Sequence, residues 1–139
     1  MDSIPSLLGL ALRAGRLAVG EEPVGTACRC HKGYLLLASD AADNTIRRAL
    51  HFSQAGKTIC LTLPLTKEEL GSGLGRTSCA MVAVTDVGFA ASIAERLAQD
   101  DQETYGEAWQ TLAQKAARVK QRRDAKRSPN KNKGKRRKA

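Results

Sequence analysis

Gly20-Glu21-Glu22-Pro23 is the place in this chain where a glycine, two carboxylates and an enforced helix start fall together. Pro23 fits only in the first turn of a helix, where its missing N–H costs no bond, so Gly20 to Glu22 must carry the cap and the exposed amide donors. Carboxylates at that end suit the helix dipole. Such an end presents N–H groups to an anion, and a carboxylate beside it can accept from the N–H edge of a guanine in bent or non-Watson–Crick RNA. Gly20 lets another backbone come close. A well-capped helix with no further role uses the same residues. Because carboxylates repel phosphate, nucleic-acid binding here needs cations around them, and Arg13, Arg16, Arg29, Lys32 and Arg76 are the candidates.

Other chemistry finds less support. Consecutive residues on a helix diverge by about 100°, so Glu21 and Glu22 cannot flank one bond as an acid/base pair. His31 and His51 fall on predicted helices with no nucleophile motif near them, and read as surface or half-buried side chains. Gly71-Ser72-Gly73-Leu74-Gly75 has the look of a dinucleotide loop but follows a capped helix rather than a strand. In Cys28-Arg29-Cys30-His31 the two cysteines, two apart on a helix, point away from each other and cannot share a metal. No catalytic residue, no cofactor and no metal is expected.

The elements that must position Gly20 follow from apolar spacing. Leu7, Leu10, Ala11 and Ala14 recur at helical period, Gly15 stops that helix, and Leu17 to Val19 is a short apolar run pairing at a sheet edge. Tyr34 to Ser39 is a strand buried on both faces, which implies helices on both sides. Asp43 is expected to cap a helix with Ile46, Ala49, Leu50 and Phe52 inward, Arg47 and Arg48 outward, and Gly56 as its stop. Thr58 to Leu63 is a second buried strand. Thr66-Lys67-Glu68-Glu69 is a capping box opening a short helix that Gly71, Gly73 and Gly75 end. Ala80 to Val84 is the next strand, and Asp86 caps a helix with Phe89, Ile93 and Leu97 on one face. Alternating strand and helix predict an α/β sandwich with a largely parallel sheet.

The apolar body closes near Ala98, so the chain divides into residues 1–99 and an appendage, 100–139, made of an acidic hinge, a basic helix and a disordered basic tail. Asp100 to Gly106 is the hinge. Trp109, Leu112, Ala116 and Val119 form a stripe that either docks or stays loose, and PNKNKGKRRKA after Ser128 lacks apolar side chains to pack. From Lys115 onward the chain carries 13 of its 23 Lys and Arg against one acid, a local charge of +12, leaving −3 on the rest. That asymmetry argues for a polyanionic partner, nucleic acid ahead of membrane, with Lys115, Arg118, Arg122, Arg123, Lys126 and Arg127 as phosphate contacts. No apolar run approaches a membrane span and the N-terminus is unlike a signal peptide, so a cytoplasmic chain with reduced cysteines is expected. Five aromatics, dispersed as Tyr34, Phe52, Phe89, Tyr105 and Trp109, are too few for the stacking platform of an RRM or OB-fold.

LLGLALRAGRLAVGEE, YLLLASDAADNT, KEELGSGLGR and AVTDVGFAASI, in that order and spacing over residues 4–97, resemble the bacterial YlxQ-type branch of the kink-turn-binding ribosomal protein superfamily, that of large-subunit proteins seven-Ae and thirty-e. The resemblance implies a three-layer α-β-α sandwich around a small mixed sheet, and RNA binding without catalysis in ribosomal or other ribonucleoprotein particles. It places the RNA-facing helix start on Gly20, Glu21, Glu22 and Pro23, and the second RNA-facing loop on Arg76, Thr77, Ser78 and Cys79. Where kink-turn readers have Asn, Glu and, one turn on, Lys, this chain has Glu22, Pro23 and Thr26; of the basic run before the glycine it keeps Arg16. The expected partner is structured RNA, ribosomal or other non-coding, and through it the ribosome, with no membrane and no small-molecule substrate. A protein-interaction or ribosome-assembly factor tethered to RNA by its tail is the alternative, motivated by the acidic body; an RNA-modifying enzyme, which would need a second, catalytic domain, is not expected.

Overall fold

A computed structural model describes the backbone of residues 3–30 and 33–136 and the side chains of 3–30 and 33–124. Helix α1 (Ile4–Arg13) is capped by Ser3, whose side chain accepts from the Ser6 amide at 3.3 Å, with a proline in its first turn. It ends as expected: Gly15 takes φ 73°, its N–H donates to Leu12, and the Arg16 N–H donates to Ala11, which closes a Schellman motif. Strand β1 (Leu17–Val19) follows, then α2 (Glu21–Arg29), β2 (Tyr34–Leu37), α3 (Asp43–Gly56), β3 (Cys60–Thr62), α4 (Lys67–Gly73), β4 (Met81–Val84), α5 (Val87–Asp100) and α6 (Gln102–Arg136).

The four strands lie in the order β1-β4-β2-β3. Only β2 and β3 are parallel; β4 runs antiparallel to both β1 and β2, so the sheet is mixed rather than largely parallel. Strand–helix alternation constrains only which elements are neighbours in the chain, and β4 enters between two strands whose direction the intervening helices had already set. Leu35, Leu37, Met81 and Ala83 turn to one face, where Val24 and Cys28 of α2 and Ala49 of α3 cover them. Leu36, Val82 and Val84 turn to the other, against Leu8, Leu70, Ile93, Leu97, Tyr105 and Leu112. Two helical layers with a sheet between them make the expected sandwich.

Local departures have local causes. Thr58 to Leu63 yields only the short edge strand β3, with Thr62 exposed, because a strand with one neighbour has no second layer of cover along its free edge. Asp43 is the first helical residue of α3 and not its cap; that place falls to Ala42, with no side-chain hydrogen bond. Ile46 and Leu50 are 36% and 46% exposed, and the packed face of α3 is Ala49, Ser53 and Gly56. The small residues win because α2 and α3 approach closely: a Cβ on Gly56 would lie 2.3 Å from the Cys28 carbonyl oxygen. The left-handed stop of α3 is consequently Lys57, at φ 53°, and not Gly56. Thr66 and Asp86 cap as their sequences predict, Thr66 in a complete capping box with Glu69.

The appendage is built differently from its composition. Residues 102–106, expected within an acidic hinge, are the first turns of α6: Asp101 ends α5 with its N–H on Leu97 and starts α6 by accepting from the Thr104 amide at 3.2 Å, a one-residue corner. Tyr105 and Leu112 are buried in the main core, with the Tyr105 hydroxyl donating to the Thr62 carbonyl of β3. The body therefore closes at Leu112 rather than Ala98. The end of the apolar pattern placed the boundary at 99, but two large side chains two turns apart are enough to dock a helix. Helix α6 also runs to Arg136, through Ser128-Pro129, where composition predicts disorder. An upstream docked helix removes the nucleation cost and Lys and Arg propagate helix well, while Pro129 leaves one N–H bond of the ladder unmade.

Candidate nucleic-acid interface

Gly20 sits at φ 98°, ψ 161°, a conformation open in practice only to glycine. It is held from both sides: its N–H donates to the Met81 carbonyl at 3.3 Å and its carbonyl accepts from Val24 at 3.1 Å. Glu21, Glu22 and Pro23 occupy the first three helical positions and no side chain caps the helix. The two carboxylates differ. Glu21 is paired with Arg48 of α3, whereas the Glu22 side chain is exposed and has no partner among the described residues. Beside them an open groove of about 330 Å³ is lined by Glu21, Glu22, Gly25, Arg29 and Phe52. The Phe52 ring rests on Gly25, where a Cβ would meet it at 3.0 Å. Thr26 Oγ1 donates to the Glu22 carbonyl and accepts from Arg29 Nη2, both at 3.2 Å, which lays the Arg29 guanidinium back along α2 toward the groove.

The loop before β4 is brought to the same end of the sheet. Helix α4 closes on Gly75, φ 75°, with the Arg76 N–H on the Gly71 carbonyl at 2.8 Å, a second Schellman motif. The chain then doubles back over α4: a Cβ on Gly71 would lie within 2.6 Å of the Ser78 backbone, and the Cys79 N–H donates to the Lys67 carbonyl at 2.9 Å. Ala80 accepts from Ala38 beyond the end of β2, and Met81 from Gly20 beyond the end of β1. Asp40 Oδ1 accepts from the Lys67 amide at 2.7 Å, tying the β2 end to the α4 start. Arg76, Thr77 and Ser78 are exposed on this loop. Cys79 is not: its side chain is 8% exposed, its thiol donates to the Met81 carbonyl, and burial raises its pKa, so it anchors the loop from below.

The basic residues scatter more than the sequence suggests. Arg13 is exposed at the end of α1, with its guanidinium over Gly9, which packs on the Gly73 carbonyl. Arg16 belongs to the opposite end of the sheet, where its carbonyl accepts from Thr85; β1 separates it from Gly20 by about 10 Å of strand. Lys32 lies outside the described residues, as do the side chains of Lys126 and Arg127. Lys115, Arg118 and Arg122 stand on the docked part of α6, and Arg123 is exposed beside them. In Arg16's place at the Gly20 end the structure puts Arg48, with Arg47 and Asn44 hydrogen-bonded to each other one turn away. Helical period marks Arg47 and Arg48 only as outward-facing; that α3 packs beside α2 is a tertiary fact without a local signal. Cys28 is buried and Cys30 exposed, and no group of three His, Cys, Asp or Glu among the described residues is placed to hold a metal.

No protein-family profile matches the chain, and no curated protein does. Among solved structures it is similar to a protein with unknown function from Bacillus halodurans C, at 29% identity and a TM-score of 0.62, over 69% of this chain and 97% of that one. The likeness carries the fold of the sandwich and assigns no activity.

Proposed function

We propose that the chain is a non-catalytic, cytoplasmic RNA-binding protein that recognises structured RNA, of the kink-turn kind met in ribosomal and other non-coding RNAs, through the start of α2 and the Arg76 to Ser78 loop. The observation that carries this reading is the bond from Gly20 to Met81, which sets a helix N-terminus with no side-chain cap, a Glu22 carboxylate without a partner among the described residues and an exposed arginine loop at one end of the sheet. Helix N-termini attract phosphate, and the carboxylate suits a guanine edge. No described helix is long and apolar enough to cross a membrane. A protein-interaction or assembly factor is the second reading, favoured by Ile46 and Leu50, exposed one helical turn apart on α3.

Glu22→Gln separates the two. Titrated at raised salt with a kink-turn RNA and a plain duplex, the variant should lose about 1 to 3 kcal/mol on the kink-turn alone, because an amide is a poorer acceptor and presents a donor to a donor. Unchanged or tighter kink-turn binding would mean that Glu22 merely repels phosphate, and the site assignment would fail. Arg76→Ala should weaken binding to the same RNA.

A further inference from the structure

A second groove lies at the other end of the sheet. Its walls are Tyr34 of β2, Val87 at the start of α5, and Lys115, Arg118, Val119 and Arg122 of α6, around a volume of about 250 Å³. The four α6 residues are spaced i, i+3, i+4 and i+7, so they form one stripe. Leu112, one turn earlier and 1% exposed, fixes where that stripe lies. The Lys115 ammonium stands 5.7 Å from the centre of the Tyr34 ring, a cation–π contact in which a mobile side chain covers the face that a flat ligand would use. The Asp86 carboxylate, whose charge is felt at the Tyr34 hydroxyl, accepts from the Phe89 amide at 3.1 Å as the cap of α5. Among the described residues that line the groove three are cationic and none is acidic.

We propose that this groove is a second RNA site, which takes one unpaired nucleotide of a single-stranded segment, its base stacked on Tyr34 where Lys115 now stands and its flanking phosphates on Arg118 and Arg122. The proposal rests on the reading that the chain binds RNA. An aromatic face beside basic side chains is the usual arrangement for single strands, because every base has a face to stack while charge tracks the backbone. Displaced from the ring, Lys115 remains within reach of the same phosphates. The β2 strand separates this groove from the Gly20 end by about 13 Å, so one molecule touches RNA at both ends of its sheet.

The test uses the full chain, a uridine-rich single-stranded oligonucleotide and a kink-turn RNA. Tyr34→Leu keeps an apolar group on the core while removing the stacking face, and should weaken single-strand binding about 5- to 150-fold with kink-turn binding unchanged. Arg118→Gln/Arg122→Gln, both exposed helix positions, should lower the salt slope for the single strand by about 1.4, more than Lys133→Gln/Lys135→Gln, which removes the same charge farther along the chain. Equal losses from the two pairs, or a Tyr34→Leu variant that binds the single strand as wild type does, would overturn the groove as a site and leave only diffuse attraction. Should Tyr34→Leu fail to fold, the comparison of the two charge pairs decides alone. Wild type that binds neither RNA refutes the underlying reading instead, and so remains distinguishable from failure of the groove.

Discussion

Gly20 and Gly56 are both glycines for tertiary reasons, but the reasons differ and so do the expected costs. At Gly20 a Cβ has room, its nearest neighbour being the Pro23 ring at 3.8 Å, while the backbone at φ 98° resists any L side chain. Gly20→Ala should therefore cost about 1 to 3 kcal/mol of backbone strain, read from denaturant unfolding. At Gly56 the backbone is ordinary, but the added methyl meets the Cys28 carbonyl oxygen, and two helices must part. Gly56→Ala should be the more damaging of the two, and an order of effects reversed from this would refute the packing argument. Cys60 adds a pH dependence: burial, and then the neighbouring Cys28, raise its thiol from 9.0 to about 11. The folded state holds that proton more tightly than the unfolded one, so its contribution is complete below about pH 9 and disappears as pH rises through 11. Unfolding in the presence of reductant should show stability falling over that window, and Cys60→Ser should flatten the fall.

At the scale of elements, α4 is small but holds the loop on which the proposed interface depends. Its capping box fixes the start of the helix, and the first helical carbonyl, Lys67, accepts from Cys79 at the loop's end. Thr66→Ala should cost about 1 kcal/mol, the range of a lost cap. It should also weaken structured-RNA binding without touching an RNA-facing side chain, whereas Asp86→Ala, an equivalent cap lost at the other end of the sheet, should cost stability and leave kink-turn binding as it was. Hydrogen exchange on the Cys79 amide measures the loosening directly. The Arg48–Glu21 pair between α3 and α2 is exposed at both ends, so its worth to stability is small, and Arg48→Ala should leave unfolding within about 1 kcal/mol of wild type.

For the whole molecule, α6 has a docked half and a charged half, and cutting it in two places separates their roles. Ending the chain at Asp124 removes 8 of the 13 clustered basic residues and no described core residue, so melting should not move while the salt dependence of RNA affinity becomes shallower. Ending it at Asp101 strips Tyr105 and Leu112 from the core. At about 1.5 to 3 kcal/mol for each large apolar side chain buried, that loss takes much of a small domain's stability. If the shorter chain melts like the longer one, α6 is an accessory and the groove on Tyr34 has no fixed wall.

Local chemistry made much of this protein legible from residue order alone. Pro23 can stand only in a first turn, Thr66 and Glu69 accept from each other's backbone N–H groups, Asp86 precedes an apolar helix, and Gly15 and Gly75 stop helices in the left-handed conformation; each depends on residues within one or two turns, which is why each is found where the sequence puts it. A run such as Tyr34 to Leu37 likewise declares a strand covered on both sides. What the tertiary structure alone decided is everything that compares distant segments: that β4 inserts antiparallel between β1 and β2, that Arg16 stands at the far end of the sheet from Gly20 while Arg48 reaches Glu21, that Ala49 and Gly56 rather than Ile46 and Leu50 face the core, and that Tyr105 and Leu112 close it. Sequence period tells which face of a helix is apolar on average, but which face is buried depends on how near the next helix comes, and at the Cys28 carbonyl it comes near enough that only small side chains fit.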